Sequence, residues 1–375
     1  MKIIYLSSAL LPNPWANSYQ TVKTSEALSR LGVDIELWAR GKTGLQEILE
    51  IYGLSSVSFL RLVKRNIRSQ VALRQNHLSY SFTLLRRLRG LPRHGLALHS
   101  RETSLWLVLL WAKFFWRVPY VFELHRERSL SWHDALRRAL LIRFSDGLVV
   151  ISKELLNRFA ALKKNLGLAF CGVDSKRFEN IPNQEESRRR YSLPNFFYLG
   201  YAGGFEEYQG LPTLLAAFEK ISPELPGVGL FIAGGSKPEI NGLAVKISPA
   251  LKAKVFFLGR LPFSDVPSAL AAADILVMPF ENMDAGGSPV KMFEYLFMKK
   301  PIVASRTPMI TEVLRDGENA LLFKVGNPFH MAEKIRILIN NTEKRAHLAE
   351  RAFQDSGRYT FDARASAIQS VINKI

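Results

Sequence analysis

The densest set of chemically useful residues lies between Glu281 and Ser305, ENMDAGGSPVKMFEYLFMKKPIVAS. An apolar run ending in Pro279 enters a loop with Gly286, Gly287 and Ser288. Pro289 is then expected at the first position of a helix, where its missing N–H costs nothing. Glycines leave backbone N–H groups unobstructed and a helix N-terminus adds partial positive charge, which together suit an anion such as a diphosphate. Lys291 and Glu294, three residues apart, share a face of that helix. A lysine beside phosphates and a carboxylate able to grip vicinal hydroxyls would divide a nucleotide sugar between them. A surface ion pair on a capped helix is the plainer alternative.

Other open loops accompany this one. Gly203 and Gly204 follow the apolar run Phe197–Ala202, with Gln209 further along the same turn, although an ordinary tight turn explains a glycine pair equally well. Gly234–Ser236 and Gly259–Arg260 end two neighbouring runs. Several such loops in one domain say more than any one of them. In the first half, His125 ends the run YVFELH and is the candidate there, with Arg126, Glu127 and Arg128 behind it. A strand-end histidine satisfied by backbone is the alternative for His125.

The elements that would position these residues alternate along the whole chain. Continuous apolar strands are expected at Lys2–Leu6, Asp34–Trp38, Ala97–Ser100, Tyr120–Leu124 and Gly147–Ile151. A second series follows at Phe197–Ala202, Gly229–Ala233, Lys254–Leu258, Ile275–Met278 and Pro301–Ala304. Helical-period segments separate them, among them Ser18–Leu31, which stops at Gly32, then Leu211–Ile221 and Val290–Met298. Continuous apolar strands alternating with helices indicate parallel sheets covered on both faces. The fold class is therefore α/β, two doubly wound Rossmann-like domains facing across a cleft, and open sheets of this kind bind ligands at the carboxyl ends of their strands. The expected division is 1–182, a polar linker 183–195, a second domain 196–356, and a C-terminal helix 357–375 able to pack back on the first.

Composition narrows the partners. The 375 residues carry 47% hydrophobic and 22% charged side chains, so disorder is not the default. One cysteine, Cys171, allows neither an internal disulfide nor a cysteine zinc cluster and suits a reducing cytoplasm. The apolar stretch Leu105–Phe122 contains Lys113 and Arg117 and is divided by Pro119, so a buried helix followed by a buried strand is expected rather than a membrane span. Of the net charge of +18, residues 1–185 hold +14, from 28 Lys+Arg against 14 Asp+Glu. No carboxylate occurs from Ile51 to Arg101 against ten basic residues, which favours an anionic partner. Arg86, Arg87 and Arg89 alternate there with Phe82, Leu84, Leu85 and Leu88, an arrangement suited to an anionic membrane surface. Nucleic acid is disfavoured, since no helix-turn-helix, zinc or RNA-binding signature accompanies the charge.

With these residues in place the sequence resembles the GT-B glycosyltransferases of family 4. The matching stretches are YLGYAGGFEEYQGLPTLLAAF from Tyr198, VFFLGRLPFSDVPSALAAADILVMPF from Val255, SPVKMFEYLFMKKPIVAS from Ser288 and EVLRDGENALLF from Glu312. Ser288, Pro289, Lys291, Glu294 and Tyr295 form the S-P-x-K-x-x-E-Y variant of the family's donor motif. The resemblance implies a retaining, metal-independent transfer of sugar from a nucleotide-sugar donor to a glycan or lipid-linked acceptor. The second domain would bind the donor and the first the acceptor, with His125 the catalytic candidate there, bonding the transferred sugar or the incoming hydroxyl. With the charge above, the protein would be peripheral on the inner face of the cytoplasmic membrane. It implies no cofactor beyond the donor as substrate. Glu294 would grip the donor ribose. The family's other motif carboxylate would fall at Gly286, where the loop amides replace it. The arginine and lysine that neutralise the leaving diphosphate in many members would fall near Gly203 and on Gln209, which leaves Lys291 and Arg260 as the cations. On this basis restoring a cation by Gln209→Lys would be neutral or activating. A reading of a different class is a fold-alike that binds a nucleotide sugar or a partner subunit without catalysis; Gly286 and Gln209 are its sequence support.

Overall fold

The structure is a computed structural model that describes residues 1–13, 15–41, 44–63, 77–125, 131–281 and 289–375. The described residues form two compact units. One takes in Met1–Gly172 and Thr360–Ile375, the other the described parts of Val173–Ala285 and Pro289–Tyr359.

The first unit is built on seven strands: β1 (Lys2–Leu11), β2 (Ile35–Gly41), β3 (Leu60–Leu62), β4 (Leu96–Ser100), β5 (Tyr120–Leu124), β6 (Gly147–Val150) and β7 (Leu166–Leu168). They pair in parallel in the order β3-β2-β1-β4-β5-β6-β7. Alternate residues of β1 serve opposite faces, as the pleat requires. Ile4 and Leu6 pack with Tyr80, Leu84, Val108, Leu109 and Leu141 from the helices His77–Leu88, Trp106–Trp116 and Trp132–Phe144. Ile3 and Tyr5 pack on the other face with Val22, Leu28, Phe361 and Ile368, from the helices Ala16–Arg30 and Phe361–Ile372.

The second unit holds β8 (Phe197–Ala202), β9 (Val228–Ala233), β10 (Val255–Gly259), β11 (Ile275–Met278), β12 (Ile302–Ser305) and β13 (Leu321–Phe323), all parallel, in the order β10-β9-β8-β11-β12-β13. The order reverses at β8 and β11 here, and at β1 and β4 in the first unit. These are the switch points where open α/β sheets leave a crevice.

Three expectations change. The polar stretch read as a linker is folded into the second unit: Gln184–Arg190 is a helix whose Asn183 and Glu186 form a capping box, and Arg188 pairs with Asp274 at 2.6 Å. The helix Trp106–Trp116 is not buried, because Val108, Leu109 and Ala112 face the core while Trp111, Phe114 and Phe115 face outward. In the basic stretch, Leu84 and Leu88 belong to the core, so the apolar side of His77–Leu88 is already covered; only Leu78 and Phe82 are its exposed large apolar residues. Of the ten basic residues counted there, Lys64, Arg65, Arg68 and Arg74 lie outside the described residues.

Candidate functional site

The second unit gathers its site around one helix. Val290–Phe297 buries Met292, Phe293, Leu296 and Phe297, and Pro289 caps it from the preceding position instead of occupying the first turn. The Tyr295 hydroxyl accepts a hydrogen bond from the Ala202 amide at 2.9 Å, fastening the helix to the carboxyl end of β8. Lys291 lies one turn earlier on the same face, so that bond fixes where its side chain goes. Its Nζ donates to the Tyr201 hydroxyl at 2.9 Å and to Gln209 Oε1 at 2.6 Å, and sits over the Tyr201 ring, 4.1 Å from the centroid. Gln209 Nε2 in turn donates to Glu206 Oε2 at 3.2 Å.

Two glycines make this approach possible. A Cβ on Gly203 would lie 2.1 Å from Lys291 Nζ, so a side chain there would evict the ammonium. A Cβ on Gly210, at φ +71°, would meet the Pro279 carbonyl oxygen at 1.7 Å, which glycine alone tolerates. Burial pushes the Lys291 pKa down to about 7, with Glu206 and Glu294 only partly offsetting it. The ammonium is therefore poised to gain from an arriving anion.

The other predicted donor residues divide. Glu294, on the same helix, pairs with Arg177 at 2.9 Å, and Arg177 also donates to the Phe263 carbonyl. Gly204 accepts the Tyr201 hydroxyl at 2.7 Å through its carbonyl. Arg260 follows β10, is exposed, and helps to lower the pKa of the Glu239 carboxyl, after its hydrogen bonds from Ser236. Gly286, Gly287 and Ser288 lie outside the described residues. Among the described residues no three His, Cys, Asp or Glu side chains converge on a metal position.

In the first unit His125 follows β5 and has both ring nitrogens engaged. Arg101 Nη2 can only donate, so Nδ1 accepts from it at 2.6 Å. Nε2 therefore carries the proton and donates it to Glu123 Oε1. Burial, reinforced by Arg101, lowers the His125 pKa to about 3, against the opposing pull of Glu123. Glu123 is wholly buried and also accepts from Arg364 of the C-terminal helix. Despite its burial, Arg364 and then His125 hold its carboxyl well below the usual carboxylate range. At the β1/β4 switch point Glu102 accepts Ser7 Oγ at 2.7 Å and the Ser8 amide at 2.9 Å. Arg126, Glu127 and Arg128 lie outside the described residues.

Arg101, Arg177, Glu102, Glu123 and Arg364 were not singled out from sequence. Glu123 had a signal, a lone charge inside the apolar run YVFEL; the others have partners far along the chain.

The His125 state has a consequence for stability. The unfolded histidine titrates near 6.5 and the folded one near 3, so between these values the unfolded state binds more protons. Stability should fall as pH drops from about 6.5, and His125→Asn should flatten that fall. Urea unfolding from pH 7 to pH 4.5 checks this; an unchanged slope in the variant would contradict the assignment.

Comparison with known proteins bears on this geometry. Residues 183–355 match the family described as Glycosyl transferases group 1, and residues 19–177 match Glycosyltransferase Family 4. The two stretches together take in most of the chain. The chain is a glycosyltransferase. The enzyme is 24% identical to an uncharacterised glycosyltransferase of Methanocaldococcus jannaschii over 69% of each chain. It is 22% identical to the D-inositol 3-phosphate glycosyltransferase of Corynebacterium glutamicum, over 94% of this chain and 90% of the relative. Among solved structures the glycosyltransferase is similar to Anabaena Alr3699/HepE in complex with UDP and glucose, at TM-score 0.79 and 18% identity with both chains covered in full. Sucrose-phosphate synthase from Thermosynechococcus elongatus gives TM-score 0.77 at 16% identity, covering 100% of this chain and 99% of that one. These likenesses establish the two-domain GT-B fold for this glycosyltransferase.

Proposed function

We propose that this glycosyltransferase is a retaining enzyme that transfers a sugar from a nucleotide-sugar donor to a lipid-linked or polysaccharide acceptor, without a resident metal, at the cytoplasmic membrane face. The observation that carries the reading is the Lys291 ammonium, held at the β8 switch point on Tyr201 and Gln209 with its pKa lowered to about 7. The bond from the sugar anomeric carbon to the diphosphate oxygen breaks, an acceptor hydroxyl oxygen bonds that carbon in its place, and the hydroxyl proton passes to the departing diphosphate. Negative charge grows on the departing diphosphate, and a cation already aimed at that point stabilises it. Glu294, with Arg177 beside it, is the carboxylate for the donor ribose. A nucleoside-diphosphate donor is supported by the complex of the Anabaena relative with UDP and glucose.

Incubation with a panel of nucleotide sugars tests the reading: one donor should raise the melting temperature and release its nucleoside diphosphate when an acceptor is supplied. Glu294→Gln should weaken that donor by about 1–3 kcal/mol, one charge-assisted hydrogen bond being lost. Undiminished donor affinity in the folded variant, measured by calorimetry, would remove Glu294 from the site. A protein that binds a donor but never turns it over would be a binding subunit.

A further inference from the structure

The helix Trp106–Trp116 is apolar at every position but Lys113, yet it lies at the surface of the first unit. Helices of that composition are ordinarily enclosed. It packs against both His77–Leu88 and Trp132–Phe144. Its inner positions reach the core, and its outer positions, spaced i, i+3 and i+4, are Trp111, Phe114 and Phe115, which are 41%, 55% and 66% exposed. Trp111 and Phe115 stack at 4.3 Å and Phe114 meets the Phe144 ring edge-on at 5.0 Å, so the aromatics form a braced ridge and do not fold inward. Phe82 and Leu136, 64% and 53% exposed, extend apolar exposure onto the two flanking helices. An exposed apolar face of this kind on a folded protein marks an interaction site.

The charge around it specifies the partner. His77–Leu88 and Trp106–Trp116 contain no carboxylate, and Trp132–Phe144 contains only Asp134, which accepts the Thr103 hydroxyl. Asp146, just beyond, is held by Lys113. Exposed arginines on these helices and just after them carry the opposite sign: Arg86, Arg87 and Arg89, Arg117, and Arg143. Guanidinium groups also lie over rings at its margins, Arg93 over Trp116 at 5.7 Å and Arg137 over Trp106 at 5.8 Å. Tryptophan and phenylalanine at the centre with arginine at the rim is the chemistry of the lipid headgroup boundary, where rings enter the acyl margin and guanidinium groups meet phosphates. Among the described residues no helix is long and apolar enough to cross a membrane, so the face would rest on a bilayer instead of spanning it.

We propose that this ridge, and not the apolar side of the basic stretch, docks the protein on an anionic lipid bilayer. The proposal gives the membrane reading above a surface and rests on that reading only for its use in the reaction.

The test is flotation of the full chain with phosphatidylglycerol and with phosphatidylcholine vesicles. Binding should be at least about tenfold tighter to the anionic vesicles and should weaken as salt rises. Phe114→Ser with Phe115→Ser should weaken it at least about tenfold through loss of apolar insertion, while Arg86→Gln, Arg87→Gln and Arg89→Gln together should flatten the salt dependence. Phe115→Ser alone, at the most exposed of the three aromatics, guards against a double variant that unfolds. Donor binding by calorimetry should be unchanged in all of them, which separates failure of this face from failure of the transferase reading. Vesicle binding untouched by the phenylalanine changes, equal binding to both lipids, or binding to neither would overturn the proposal. So would self-association lost in the phenylalanine variants, which would make the ridge a contact between copies.

Discussion

Lys291→Ala is expected to lower the transfer rate about 10²–10³-fold, the effect of removing one preorganised group from a developing charge. Donor affinity should fall by less, because the interaction strengthens as the diphosphate departs, so the loss should appear mainly in kcat. The neighbours of the ammonium sharpen this. Sequence reasoning expects Gln209→Lys to restore a missing cation, but Gln209 Oε1 is the acceptor for Lys291 Nζ at 2.6 Å. A second ammonium there would replace an attraction by a repulsion in a buried position, so Gln209→Lys should resemble Lys291→Ala instead of activating. Gly203→Ala should act in the same direction, since its Cβ takes the volume of the ammonium. Steady-state kinetics of the three variants check this, and full turnover in Lys291→Ala would place the diphosphate elsewhere.

The largest stability effect is expected at Arg364. Its Nε donates to Thr24 Oγ1 at 2.9 Å, its Nη1 to the carbonyls of Ala169 and Phe170 at 2.7 and 3.0 Å, and its Nη2 to Glu123. Both members of the ion pair are buried, at 1% and 0% side-chain exposure. Arg364→Ala therefore leaves a carboxylate in the core with the His125 N–H as its remaining strong donor, and takes the guanidinium donor away from two carbonyls. Breaking a buried pair from one side costs about 3–5 kcal/mol, which for a unit of this size lowers the melting temperature by roughly 10 °C. Glu123→Gln, which leaves the guanidinium uncompensated, should be similarly severe. A melting temperature within about 2 °C of wild type for Arg364→Ala would mean the pair adds little. The same contacts fasten the C-terminal helix to the first unit, so that unit should be the one that loosens.

The central strands were legible in the sequence because they are continuous apolar runs covered on both faces: β5, β8 and β11 fall where they were expected. The three strands that were not anticipated, β3, β7 and β13, are three residues long and lie at sheet edges, too short to show a period. Trp106–Trp116 was misread as buried because composition alone cannot reveal that one apolar side faces outward. Spacing put Lys291 and Glu294 on one helix and left an ion pair between them as the plainer alternative. Each instead found a partner far along the chain, Gln209 in one case and Arg177 in the other, and no local pattern encodes such contacts. The same holds for Arg364 and Glu123, which are 241 residues apart.

Proton uptake on binding of UDP at pH 8 tests the central claim most directly. With its pKa lowered to about 7, Lys291 is largely neutral at that pH in the free protein, and a diphosphate beside it should draw a proton back. Calorimetry in buffers of different ionisation enthalpy should give close to one proton taken up per site at pH 8 and far less at pH 6, with UDP affinity falling as pH rises above about 7. In Lys291→Ala the uptake should vanish. No uptake by the wild type at pH 8, or the same uptake in the variant, would contradict the placement of the diphosphate at Lys291.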